Sequence, residues 1–384
     1  MTDTLHSVDI AIVGAGPVGM ALALALAGGP YSVLLIDSRQ RGASAGDPRA
    51  LALSHGTRQL LERLGAWNSP LATPIQTIHV SQRGGFGRTL IDATDYGIPA
   101  LGYVMRYRDL AATLDRRMAT SRLLSNCTVV KILANRDAAN ITLDDDGETR
   151  SIAARLVVHA EGTPGNDEGV RVCDYRQHAL VAEVRPLAGH AHRAWERFTP
   201  DGPLALLPLA QDYSVVFTMP PDKASEHIKL DEQAFLAALR TQFGSRIDFV
   251  ASGPRASFPL ALRVRRQLTV QRQVWIGNAA QSLHPVSGQG FNLGLRDAWE
   301  LAEALLTRAG GDPGDAAALT FYTQGRRIDR VGSMGFTDGI VRLFSNDLGP
   351  LQVARGLGLL SLDLLPPLRH FVARRMIWGA RAWP

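Results

Sequence analysis

Gly277-Asn278-Ala279-Ala280-Gln281-Ser282-Leu283-His284-Pro285-Val286-Ser287-Gly288-Gln289-Gly290-Phe291-Asn292-Leu293-Gly294-Leu295-Arg296-Asp297 is a glycine-punctuated loop that runs into a helical pattern. It lies far along the chain from a first loop of similar character, Gly14-Ala15-Gly16-Pro17-Val18-Gly19. One such loop has many uses. Two imply a long ligand held at one end by the first and at the other by the second.

The first loop sits between a short apolar run, Val8 to Val13, and an alanine and leucine stretch, Met20 to Ala27, which together read as strand, loop, helix. Small residues are needed there because the backbone must approach a pyrophosphate closely. The helix N-terminus then offers free N–H groups and a positive dipole end to the anion. A second apolar strand, Val33-Leu34-Leu35-Ile36, ends at Asp37, about 20 residues beyond the loop as the dinucleotide fingerprint requires. Asp37 is therefore assigned to the adenosine ribose hydroxyls.

Two further segments choose between NAD and FAD. Leu156-Val157-Val158-His159-Ala160-Glu161-Gly162 and Val274-Trp275-Ile276-Gly277-Asn278 both read as buried strands ending in glycine beside a polar side chain. An NAD dehydrogenase has no use for them. A flavin enzyme does, because ribityl hydroxyls and an isoalloxazine ring must be held beyond the pyrophosphate. The Gly288-Gln289-Gly290 turn opens a helix near Phe291, whose N-terminus would face the N1 and C2 carbonyl edge of the flavin, where reduction places negative charge.

At this point the residues resemble a family. The two glycine loops, the run Asp47-Pro48-Arg49-Ala50-Leu51-Ala52-Leu53-Ser54 and the block from Gly277 to Asp297 are similar to the single-component flavin aromatic hydroxylases, in particular the ubiquinone-biosynthesis branch. Glu196-Arg197-Phe198-Thr199 and the Gly202 to Leu209 segment resemble its mid-chain signature. Thr77 to Gly84 and Leu343-Phe344-Ser345-Asn346 are most similar to the members that hydroxylate 2-polyprenyl-6-methoxyphenol; sister members act on other positions of the same ring.

The resemblance implies an α/β fold: a Rossmann-like FAD-binding domain, an inserted mainly antiparallel β substrate domain, and a C-terminal helical segment. It implies bound FAD, NAD(P)H as transient reductant, and O2 activated at flavin C4a to attack an electron-rich polyprenyl phenol. Cofactor contacts fall on Gly14, Gly16, Pro17, Gly19, Asp37, Arg49, Arg106, Glu161, Gly162, Gly277, Asn278, Gly288, Gly290, Phe291 and Asn292. Arg49 would lie against the flavin and its phosphates, and Arg106 would reach the adenine or pyrophosphate side. Pro285 would sit over the reactive face of the ring, with His284 beside it and Gln289 acting through its backbone. Glu161 and Asn278 both stand where many relatives carry aspartate; an asparagine carbonyl still accepts from a ribityl hydroxyl.

His284 can be read as a proton shuttle near neutral pH or as a loop cap. Arg49 can also be read as a surface ion pair. Arg296 and Asp297 read as ordinary helix-surface or interdomain pairs, and Gly356-Leu357-Gly358 as helix packing.

The nucleotide loops place the FAD domain at 1–73, 101–170 and 266–330. Strand-like alternation places the substrate domain at 74–100 and 171–265, with a C-terminal helical segment at 331–384; Gly310 to Ala318 reads as a loop. The chain of 384 residues is 46% hydrophobic and 20% charged, as a folded protein should be. Its two cysteines, Cys127 and Cys173, have no metal or redox spacing, so a reducing cytoplasm and no metal are expected. Net charge +5, spread among acids, makes nucleic acid a poor partner.

From Leu351 to Pro384, Arg355, Arg369, Arg374, Arg375 and Arg381 face one acid, Asp363, amid leucine and aromatic residues. Such an end suits peripheral contact with the inner face of the cytoplasmic membrane, docking on the core as helices broken at Pro366-Pro367, or both. Other ubiquinone-biosynthesis proteins are further expected partners. A halogenase relative would be expected to carry Trp-x-Trp-x-Ile-Pro, which does not occur; a non-catalytic flavin-binding assembly subunit is the other alternative.

Overall fold

The computed structural model describes residues 7–118, 121–165, 167–308, 310–344 and 349–379. Among them, strand β1 (Ser7–Val13) lies at the centre of an eight-stranded sheet. It pairs in parallel with β2 (Val33–Asp37) on one side and with the strand Glu148–His159 on the other. Gln273–Trp275 and Arg122–Ser125 extend the parallel order outward. Ile10, Ile12, Leu35, Leu156 and Val158 are almost wholly buried, which explains why these strands read as continuous apolar runs. Each such side chain contributes about 1.5–3 kcal/mol by leaving water.

The helices are α1 (Pro17–Leu26), α2 (His55–Arg63), α3 (Tyr107–Arg117), α4 (Pro221–Lys229), α5 (Glu232–Phe243), α6 (Gln289–Leu306), α7 (Ala316–Phe344), α8 (Gly349–Leu364) and α9 (Pro366–Trp378). Helices α1 and α6 pack together over the parallel sheet, with Met20, Leu22, Leu26, Leu295, Leu301 and Leu305 in one core. Both begin earlier than the apolar periodicity suggests. Helix α1 starts at Pro17 inside the glycine loop, where the fixed φ of proline suits the first helical turn, and α6 starts at Gln289. Gly310 to Ala318 is a loop only as far as Asp315, because α7 begins at Ala316.

A nine-stranded sheet is inserted into this frame. Its order runs from Gln281–Ser282 through Ala256–Arg265, Val170–Pro186, Asp212–Met219, Pro203–Leu209, Arg193–Phe198 and Thr77–Gln82 to Arg88–Asp92, antiparallel except where Arg193–Phe198 meets Thr77–Gln82. One face is covered by α5, whose Phe235, Leu236, Leu239 and Phe243 pack on Leu204, Leu206, Val215 and Phe217. The opposite face looks toward the second glycine loop. A three-stranded sheet made of β3 (Ala50–Ser54), Gly102–Arg106 and Thr73–Ile75 joins the two layers.

Helices α8 and α9 dock on the core. Gly356 comes close enough to the Phe86 carbonyl that a Cβ would sit 2.8 Å from it, so of the Gly356-Leu357-Gly358 stretch it is Gly356 that serves packing, while Leu357 is exposed and Gly358 meets nothing within 4 Å. No helix among the described residues is long and apolar enough to cross a membrane. Ser345, Asn346 and Arg381 lie outside the described residues.

Candidate active site

Parallel strands present their C-terminal ends at one edge, and ligands of such folds bind there. β1 ends at Gly14, whose N–H donates to Ile36, and β2 ends at Asp37. The strand Glu148–His159 ends beside Ala160 and Glu161, and Gln273–Trp275 runs into Gly277. The two glycine loops therefore meet at one edge. Val18 packs between them: a Cβ on Gly277 or on Gly294 would lie 3.1 Å from its methyl groups.

The three glycines of the first loop differ in what they permit. Gly14 has φ +102° and approaches Ala160 so closely that a Cβ would lie 2.6 Å from its carbonyl. Gly19 abuts the Gly14 carbonyl, at 2.0 Å from a built Cβ. These two serve the protein's own packing. Gly16 does not, since a Cβ there would meet nothing nearer than the Tyr107 hydroxyl at 3.6 Å. Its missing side chain leaves room for something else, and it is the N-cap of α1, which has neither a side-chain cap nor an acid in its first turn. That is a cradle for a pyrophosphate.

Asp37 accepts from the Ala15 N–H at 2.7 Å and from Arg39 at 2.8 and 3.0 Å. Burial works to raise its pKa, but these donors outweigh it and hold the carboxyl below the usual range. A cavity of about 450 Å³ opens beside it, lined by Ala15, Asp37, Arg39, Ser44 and Arg108 among others. Its size suits a nucleotide.

At the other end, Gly288 caps α6 with φ +60° and no side-chain cap, and the first turn again holds no acid. Gly290 and Phe291 follow in that turn, and Asn278 is exposed on the loop above it. Two uncapped helix N-termini, an acid at the end of β2 and a glycine with no structural need of its own fit both ends of FAD.

Several predicted residues have contacts within the chain itself. Asn292 is buried: its Oδ1 accepts from Ser54, while Nδ2 donates to Ala52 and Gly288. It staples β3 to the loop. Arg106 points to Glu183 in a bidentate pair at 2.6 and 3.0 Å, between β3's partner strand and the nine-stranded sheet. Arg49 pairs with Asp47 at 2.5 Å and lies 4.8 Å from the Tyr107 ring centre, beside the first loop. Glu161 turns back to His159 at 3.1 Å, whose ring stacks on Trp275. Gly162 stands in open space with φ +102°. Gln289 donates from its amide to Met376 of α9.

His284 is 1% exposed, and its Nδ1 accepts from the Val286 N–H, capping the short turn that Pro285 opens. Its edge meets Tyr175. Burial pulls its pKa down to about 4, so the ring is neutral near pH 7, the form in which Nδ1 accepts the capping bond. The unfolded chain takes up a proton near pH 6.5 and the folded chain does so only near 4, so stability is full above pH 6.5 and falls as pH drops through that window. The loss should approach about 3 kcal/mol at pH 4. Urea unfolding of wild type and His284→Asn at pH 7.5 and 4.5 measures it; equal acid sensitivity in both would dismiss His284 as the cause.

The residues that organise the second loop escaped sequence reading. Asp297, 2% exposed, accepts from the Gly277 N–H at 3.0 Å, from Gln281 at 2.7 Å and from Arg326 at 2.7 Å. Arg326, 0% exposed, also contacts Glu300 and Asp329 at 2.8 Å, and Arg296 joins Asp329. Arg330 fixes the other end of the Gln281 amide at 2.8 Å. Arg296 and Asp297 are thus members of a buried network, not surface pairs.

Comparison with known proteins agrees with this geometry. Residues 7–330 match the FAD binding domain family. The chain is 35% identical to a ubiquinone hydroxylase, UbiL, of Rhodospirillum rubrum, across 98% of this chain and 91% of that one. The chain belongs to the ubiquinone-biosynthesis flavin hydroxylase family. It is also 29% identical to the 3-demethoxyubiquinol 3-hydroxylase of Escherichia coli, over 94% of this chain and 96% of the other. The crystal structure of p-nitrophenol 4-monooxygenase from Pseudomonas putida shares the fold at TM-score 0.77 and 16% identity, covering 98% and 99% of the two chains. This flavin hydroxylase is accordingly an FAD-dependent monooxygenase that draws on NAD(P)H and O2.

Proposed function

We propose that the enzyme hydroxylates the ring of a polyprenylated phenol of the 2-polyprenyl-6-methoxyphenol type in ubiquinone biosynthesis. Its full-length relationship to the ubiquinone hydroxylase of Rhodospirillum rubrum carries this reading. FAD, when bound and reduced, supplies the oxygen-activating ring. The chain's own part is to hold and shield. Gly16 would admit the pyrophosphate, Asp37 would hold the ribose, and the N-terminus of α6 would serve the flavin end. Pro285 and Val286 form the floor under the substrate, and the apolar sheet face above them keeps out water that would discharge activated oxygen as peroxide.

Quinone-lipid profiling of a deletion strain tests the reading. A prenylated intermediate lacking one ring hydroxyl should accumulate, and its structure names the position, so a sister ring-position specificity would be seen directly. An unchanged quinone profile, with no phenol hydroxylated by the purified enzyme, would remove the assignment.

The tail bears on how such a substrate arrives. One side of α8 and α9 buries Leu359, Ala373 and Ile377, while Leu364, Leu365, Leu368 and Phe371 stand outward with Arg374 and Arg375. An apolar ridge beside arginines suits peripheral attachment to an anionic bilayer, each arginine adding about 1 kcal/mol. Truncation would strip core contacts, so the expected result is set for Leu365→Glu/Phe371→Glu. This variant should keep its FAD yet stop sedimenting with phosphatidylglycerol vesicles, which wild type should bind at low salt and leave at high salt. Equal sedimentation of both would place the anchor elsewhere.

A further inference from the structure

The strand Arg193–Phe198 alternates cleanly between two environments. Trp195 and Arg197 face α5: Trp195 packs on Phe243, and Arg197 donates to the Gln242 carbonyl and to Ser81. Ala194, Glu196 and Phe198 face the other way. Ala194 joins a cluster with Ile75, Val104 and Leu207, and Phe198 packs against Val286 of the second glycine loop. Between them Glu196 is paired across the sheet with Ala205 and Val80. It is therefore a carboxyl on a largely apolar face that looks at the loop carrying Pro285, and Glu183 on the same face is paired with Arg106.

Its Oε1 is sealed from solvent and has no hydrogen-bond partner among the described residues. A buried acceptor left unpaired is costly, and this one sits on the sheet face that meets the second glycine loop. We propose that Glu196 is the group that receives the proton of the substrate's phenolic hydroxyl, a reading that rests on the phenol hydroxylase function above. The phenolic O–H bond breaks, its proton forms an O–H on the carboxylate, and the electron pair stays on the substrate oxygen. The ring so enriched forms a C–O bond with one oxygen atom of O2, the electrons coming from NAD(P)H; the C–H proton at that carbon leaves as the ring regains aromaticity and ends in the water formed from the second oxygen atom, while the carboxylic acid returns its proton to the substrate's phenolic oxygen.

Burial pushes the Glu196 carboxyl up to about 8. The gap to a phenol near 10 thereby narrows to about two pH units, where an ordinary glutamate would leave about six. Few charges reach it. Arg197 and His79 lie on the far face of the sheet. Tyr175, packed against the same cluster, donates to Asp338, which also holds Arg342; His284 is neutral; and Arg355 lies over Phe344 at 5.7 Å.

The test compares FAD-loaded wild type with Glu196→Gln and Glu196→Asp on 2-methoxy-6-geranylphenol. Gln should retain the size, the fold and the flavin, while kcat/KM for hydroxylation falls by about 10²–10⁴-fold. Wild-type kcat/KM should rise with pH through about 8; that limb should vanish in Gln and persist in Asp. A second measurement needs no turnover. Because the folded-state value lies above the unfolded one, wild type should lose thermal stability relative to Gln as pH rises from 4.5 to 8. Wild-type rate and pH limb in the Gln variant would overturn the assignment of Glu196 alone. A wild-type enzyme that hydroxylates no phenol would overturn the substrate reading, and this inference with it.

Discussion

Arg326→Ala is expected to destabilise the enzyme by about 3–5 kcal/mol, because it leaves the carboxylates of Asp297, Glu300 and Asp329 facing one another without their shared cation. The cost should reach the cofactor as well. Asp297 holds the Gly277 N–H and the Gln281 amide only while its other oxygen is neutralised by Arg326. Denaturant unfolding should show the lower midpoint, and the protein should be recovered with less flavin. Arg326→Lys should fall between, since an ammonium cannot fork to three carboxylates. A loss below about 1 kcal/mol would mean the cluster is wetter or looser than its geometry.

Gly16→Val is expected to give a folded but colourless protein. The residue has an ordinary negative φ and a nearest neighbour at 3.6 Å, so a side chain fits the protein but fills the pyrophosphate cradle. Losing one or two charge-assisted backbone contacts, at about 1.5–3 kcal/mol each, weakens FAD roughly 10- to 10⁴-fold. Gly14→Val should instead fail to accumulate, because φ +102° and the Ala160 backbone leave it no room. Flavin absorbance and circular dichroism separate the two. Full flavin occupancy in Gly16→Val would move the phosphates to another loop.

Much of this was legible before any coordinates. The parallel strands declared themselves through continuous apolar runs, and the loops through glycines placed between strand and helix, because those patterns are local. What stayed hidden was charge that is buried. Asp297 read as a helix-surface or interdomain pair, although its place four residues from both Leu293 and Leu301, each 0% exposed, put it on the buried face. Tyr322, Arg326 and Asp329 repeat that signal on α7. Which partner such a residue meets depends on how two helices cross, and spacing along one helix does not encode that. The two readings of His284, shuttle or loop cap, stood side by side in the sequence for the same reason: its ordinary pKa is a property of the residue, the lowered one a property of what surrounds it. The staple made by Asn292 joins residues about 240 positions apart, beyond any motif.

Helix α9 reaches the second loop through the Met376 carbonyl, which accepts from Gln289, and it packs so close to α2 that a Cβ on Gly56 would touch the Ile377 carbonyl. The first glycine loop, by contrast, lies at residues 14–19. A chain emerging from the ribosome at about 5–20 residues per second therefore exposes half of its cofactor site for tens of seconds before the other half exists. The second loop is made late, and its Gln289 meets its partner in α9 later still.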